Sequence, residues 1–156
     1  MDFLIVKWIH IISSVLLFGT GLGSAFYKYM ADRSRNIQAI ALTNKNVVLA
    51  DWLFTTPAII IQPITGITMV LMLGYSVTES WIFLSITLYF IAGACWLPVV
   101  VLQIKMRDIS NEAAVNNTSL PEGYWKQVVI WFWLGVPAFI SIIIVFFLMT
   151  NKPNIY

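Results

Sequence analysis

The sequence predicts an all-α protein, a transmembrane four-helix bundle in a single domain spanning residues 1–156, and three observations lead there. Composition is the first: 60% of the 156 residues are hydrophobic and 15% aromatic, while only 10% are charged. Soluble domains carry roughly 25% charged residues, so the chain belongs in lipid. The second is segmentation. Four stretches, 3–27, 50–73, 81–104 and 124–149, each hold the roughly 20 predominantly apolar residues that a helical span requires. The third is that lipid cannot satisfy backbone N–H and C=O groups, which restricts spanning structures to helices and closed barrels. Runs of this length are not barrel strands.

The segment 3–27 is expected to be a retained span, since it is too long for the apolar stretch of a removable signal peptide and no cluster of positive charge precedes it. A polar linker is expected over 28–46, a tight turn over 74–80 and a polar loop over 105–123. The basic residues set the orientation. Lys28, Arg33, Arg35, Lys45, Lys105, Arg107 and Lys126 fall in or beside the first and third connections, whereas Lys7 and Lys152 alone flank the termini. Both termini are therefore expected on the periplasmic or outer side of a bacterial inner membrane. The net charge of +2 is spread over span ends and makes no case for nucleic acid.

Inside the spans, prolines recur at Pro57, Pro63, Pro98 and Pro137. A proline removes a helical N–H and disturbs the preceding turn, which opens room or frees carbonyl acceptors. Gln62 beside Pro63 needs hydrogen-bond partners at membrane depth. In the first span, Gly19 and Gly23 form a small-xxx-small pattern that lets membrane helices approach closely, and homo-oligomerisation is expected through that face. It does not fit a dinucleotide fingerprint, because no strand precedes it. Asp51 is expected to open the second helix at its cytoplasmic end, favoured by the helix dipole or paired with Lys105 or Arg107. Trp8, Tyr75, Trp81 and Trp125 read as interfacial belt residues. Trp96, Trp131 and Trp133 lie deeper, where they pack in the bundle or cover a planar ligand.

One residue carries most of the chemistry. His10 is the single histidine and sits within an apolar run, residues 3–26. An ionisable side chain at membrane depth is costly and points to function, and imidazole is the commonest protein ligand for metals and haem iron. Lys7 shares its helical face one turn outward, placed either to neutralise a porphyrin carboxylate or to snorkel to the headgroups. Ser13 and Ser14 offer nearby hydroxyls. Met69 and Met72 match His10 in expected depth, and His/Met ligation is a known haem arrangement; methionines in apolar helices also serve as gap-fillers. The competing reading of His10 is a structural histidine bonded to a neighbouring helix. No His-x-x-His or Glu-x-x-His pairing occurs, which disfavours a zinc or di-iron site. A lone Cys95, mid-helix, allows no disulfide within the chain and reads as a small core residue. The spans show no intramembrane carboxylate for coupling ions, so a transporter or channel is the least favoured class.

Several motifs together resemble a known family. They are Lys7-Trp8-Ile9-His10, Gly19-Thr20-Gly21-Leu22-Gly23, Asp51-Trp52-Leu53-Phe54-Thr55-Thr56-Pro57-Ala58, Gln62-Pro63-Ile64-Thr65-Gly66, Cys95-Trp96-Leu97-Pro98 and Leu134-Gly135-Val136-Pro137-Ala138. They resemble an uncharacterised family of small bacterial integral membrane proteins over nearly the whole chain. More distantly, the Lys-x-x-His opening is similar to the bacterial membrane protoporphyrinogen oxidase family, and that resemblance implies a porphyrin role for His10. The expected function is binding of haem b or a related porphyrin in a cytochrome-b-like manner through His10, for electron transfer or porphyrin handling. The alternative is a cofactor-free structural or assembly subunit of a membrane complex. No catalytic constellation is evident.

Overall fold

In this computed structural model, which describes residues 2–153, the chain forms four long helices and no strand. Residues 1 and 154–156 of the expected domain lie outside that range. Helix α1 covers Phe3–Ser34, α2 Ile37–Met72, α3 Ser80–Asn116 and α4 Glu122–Asn151. Each start and stop has a local cause. The Asp2 carboxylate accepts from the Leu4 amide at 3.1 Å at the start of α1, and the Asn36 side chain accepts from the Ala39 amide at 3.1 Å at the start of α2. Arg35 and Asn117 end α1 and α3 in the left-handed conformation, with φ of 57° and 52°. Gly74, at φ 71°, supplies the same geometry in the short turn between α2 and α3.

Two expected connections are mostly helical. The linker 28–46 contracts to Arg35 and Asn36, and the loop 105–123 to residues 117–121. The physical reason is length. Helices of 30 to 37 residues reach about 45–55 Å at 1.5 Å per residue, whereas the hydrocarbon layer is about 30 Å thick. The surplus lies at the end carrying these two connections. There polar side chains project to water while the backbone stays internally bonded.

Helix α1 packs along α2, the first part of α2 packs on α3, and α3 runs against α4. Phe18 closes the ring between α1 and α4, stacking on Phe139 at 5.1 Å and tilting against Phe146 at 5.5 Å. The distribution of side chains is inverted relative to a water-soluble bundle. Leu4, Trp8, Phe90, Trp133 and Phe147 are exposed on the outside, while Ser13, Lys28, Asp32, Asn44, Thr65, Gln103 and Ser141 are buried within. Such a surface, on helices long and apolar enough to span, fits lipid around it. The protein is an integral, multi-pass membrane protein. Trp81, expected in an interfacial belt, is instead buried against Ile82 and Leu148, with Tyr75 edge-on at 5.5 Å and the Lys152 ammonium 5.6 Å from its ring.

Asp51 departs from expectation. It does not open a helix: 14 residues of α2 precede it, and it begins a π-helical turn over Asp51–Thr55. Pro57 supplies the reason, since its ring would clash with the carbonyl four residues back and it offers no N–H, so a widened turn relieves the strain. Asp51 is buried and bonded to Thr55, at 2.8 Å from the hydroxyl to Oδ1. Among the described residues it makes no ion pair with Lys105 or Arg107; Arg107 pairs with Asp108 at 2.8 Å.

Candidate functional site

His10 lies where α1 and α2 touch. Its Nδ1 meets the Thr65 hydroxyl at 2.7 Å. That hydroxyl donates its single hydrogen to the Ile61 carbonyl, also at 2.7 Å, a back-bond common for threonine in membrane helices. With the hydroxyl hydrogen on the Ile61 carbonyl, a neutral ring donates from Nδ1 to Oγ1. That arrangement corresponds to the tautomer whose Nε2 holds a lone pair. Nε2 has no partner among the described residues and is not among the fully buried unpaired atoms. The backbone is held too: the Gln62 amide donates to the His10 carbonyl at 2.8 Å and to the Ser13 hydroxyl. Ser13 in turn donates back to the His10 carbonyl at 3.1 Å. Gly66 lets the ring sit close, since a Cβ there would stand 3.4 Å from Cε1.

The other expected ligand residues are more loosely placed. Lys7 is exposed one turn nearer the N-terminus. Met69 is half-buried, one turn beyond Thr65 on α2, and Met72 is exposed at the end of that helix. Because α1 and this part of α2 run antiparallel, both methionines lie nearer the chain termini's end of the bundle than His10 does. Cys95 is half-buried, and no group of three or more His, Cys, Asp or Glu side chains gathers among the described residues.

A second polar centre, at the opposite end of the bundle, escaped the reading of the sequence. Lys28, counted there as a linker charge, is among the most buried side chains of the chain. Its ammonium donates to Asp32 Oδ2 at 3.0 Å, Asn44 Oδ1 at 2.8 Å and the Tyr124 hydroxyl at 3.2 Å. Tyr124 donates to Asp32 Oδ1 at 2.6 Å, and the Asn44 amide reaches Ser110 Oγ at 2.9 Å. All three ammonium hydrogens have acceptors, and one network ties α1, α2, α3 and α4 together. Trp131 completes the wall, 5.5 Å from the Lys28 ammonium. The only trace in the sequence is the Lys28/Asp32 spacing of four.

A family described as predicted integral membrane proteins, DUF2269, matches residues 4–153. The chain belongs to the DUF2269 family. No curated protein and no solved structure matches it. Membership agrees with the four membrane helices and assigns no chemistry, so the sites of this DUF2269 chain rest on its own geometry. On that geometry, Gln62 and Thr65, both within the motif around Pro63, converge on the backbone and ring of His10, whereas a Cβ at Gly19 or Gly23 would meet no atom of the other described residues within 4 Å beyond its own stretch of helix.

Proposed function

We propose that this DUF2269 protein binds haem b or a related porphyrin through His10 Nε2 and serves electron transfer or porphyrin handling, in a cytochrome-b-like manner. The observation that carries this reading is the His10–Thr65–Ile61 chain of hydrogen bonds, in which Nδ1 faces an oxygen and Nε2 has no hydrogen-bond partner among the described residues. Histidines that bind metals almost always donate the other ring N–H to an oxygen acceptor in this way. The donor set fits the group: one neutral imidazole for iron, and the Lys7 cation one turn outward for a propionate. Haem bound there would supply a one-electron iron couple. Met69 or Met72, or a side chain of a second copy, would be the candidates to share in holding such a group with His10. Thr65 keeps the ring's tautomer and aim, and Gln62 holds the α1 backbone beneath it.

The setting we propose is a bacterial inner membrane with both termini on the periplasmic side, supported by the basic residues at the connection end, where Arg33, Arg35, Lys45, Lys105, Arg107 and Lys126 remain after burial of Lys28. A homo-oligomer through α1 is supported by the unpartnered Gly19 and Gly23 face.

The Gln62 bonds favour a second reading, in which His10 and Gln62 only knit α1 to α2 in a cofactor-free assembly subunit. Absorption spectra of the purified protein, oxidised and reduced, separate the two. A Soret band that disappears in His10→Ala, with the helical circular dichroism retained, is the expected result. A colourless protein that stays colourless on adding haem would overturn the porphyrin reading in favour of the second.

A further inference from the structure

Asp51 is a buried carboxyl without a counter-charge. It is 6% exposed, as is Gln103 on α3. The ion pairs of the described residues lie elsewhere, at Lys28–Asp32 and Arg107–Asp108. No charged side chain from α1, α2 or α3 acts on the Asp51 carboxyl; its two polar neighbours are neutral, the Thr55 hydroxyl of its own turn and the Gln103 amide. The small cavity alongside is walled chiefly by apolar side chains, among them Val48, Trp52, Val100 and Ile104, and offers a charge no compensation. An ionised carboxylate accepts at both oxygens and donates at neither. Thr55 donates to Oδ1 at 2.8 Å, while Oδ2 is buried with no partner, and so is Gln103 Oε1. Two orphaned acceptors on neighbouring side chains are costly, and an uncompensated buried charge costs far more. The expectation that the spans hold no carboxylate fails at Asp51.

We propose that Asp51 is a proton-binding site in the membrane interior, standing at neutral pH as a carboxylic acid paired at two points with Gln103. The O–H on Oδ2 donates to Gln103 Oε1, and the Gln103 amide N–H donates to Oδ1, which has a second lone pair for the Thr55 hydroxyl. A single proton, taken from bulk water, thus removes the charge and satisfies both orphaned oxygens. It also joins α2 to α3. When the proton returns to water, oxygen faces oxygen and the link is lost, so this helix contact depends on protonation. The widened turn set by Pro57 carries both Asp51 and Thr55, in keeping with the association of π turns with functional sites. Ionisable groups that hold a proton at membrane depth are the elements from which proton relays are built. The site stands whether or not His10 carries a porphyrin.

The test is infrared spectroscopy of the purified full chain in detergent at neutral pH, where the C=O stretch of a protonated carboxyl stands apart from the bands of carboxylates and of the peptide backbone. The unmodified protein should show this band, moved to lower frequency in D₂O and absent from Asp51→Asn. Asparagine donates where the acid did and keeps both bonds to Gln103, so the variant is expected to fold. A spectrum without the band overturns the proposal, and so does a band that persists in Asp51→Asn, since it belongs to another carboxyl. If Asp51→Asn does not fold, Gln103→Leu decides. With the amide gone, a band that shifts or disappears supports the pair; a band unchanged in Gln103→Leu overturns it.

Discussion

The His10 Nδ1 and the Thr65 hydroxyl lie 2.7 Å apart, and the same hydroxyl bonds back to the Ile61 carbonyl. A neutral ring donating from Nδ1 leaves the threonine's helix bond in place, whereas the reverse direction gives up that bond. It follows that Thr65→Val, which keeps volume and removes the acceptor, frees the tautomer. Haem affinity is expected to fall by about 10- to 100-fold, the usual effect of removing such a supporting bond. Thr65→Ser, which restores the hydroxyl, should recover most of it. Haem titration followed at the Soret band, with the melting midpoint recorded alongside, checks both.

Gly66 sets how near the ring can lie to α2. A Cβ would already stand 3.4 Å from Cε1, so Gly66→Ala should be nearly neutral, while Gly66→Leu must push the imidazole aside. Expected is a protein with wild-type helical content and no Soret absorption in Gly66→Leu, measured against a Gly93→Leu control, where a Cβ has no atom within 4 Å.

Lys28 shows how differently a buried charge behaves from a loop charge. Removing it in Lys28→Met leaves Asp32 and Asn44 facing one another without the ammonium that joined them. Losing one partner of a buried ion pair costs about 3–5 kcal/mol, whereas an apolar replacement of both is often near neutral. Lys28→Met should therefore be severely destabilised, and Lys28→Met with Asp32→Leu should recover part of the loss. Unfolding by denaturant in mixed micelles reads the coupling as a double-mutant cycle.

What was legible in the sequence follows the same division. Span number and apolar character were readable because lipid imposes length and hydropathy on every turn of a helix. The helix ends were not, since the polar stretches 28–46 and 105–123 carry loop-like composition while folding as helix that reaches past the apolar layer. His10 stood out because a titratable group in an apolar run has no cheap explanation. Gln62 was marked as needing partners, and it has them in the His10 carbonyl and Ser13. Asn44, Ser110 and Tyr124 could not be found that way: each is ordinary in its own segment, and only packing of α1 to α4 brings them onto Lys28. Asp51 was misplaced for a related reason, because the helix start was set where hydropathy rises and not at Asn36, whose cap begins the helix.

The small-residue face of α1 gives the last prediction. Gly19 and Gly23 are one turn apart, and among the described residues nothing beyond their own stretch of helix lies within 4 Å of a Cβ built at either. A small-xxx-small face fits helix contact, since it lets backbones approach closely enough for dispersion and weak hydrogen bonds to outweigh lipid contact. If the contact is with a second copy, bulk at the centre separates the helices without touching the fold of either chain. Gly19→Leu with Gly23→Leu should convert the purified protein from oligomer to monomer in analytical ultracentrifugation with detergent density matching, and leave the melting profile of the single chain in place. An unchanged sedimentation coefficient would show that lipid, and not another copy of α1, covers this face.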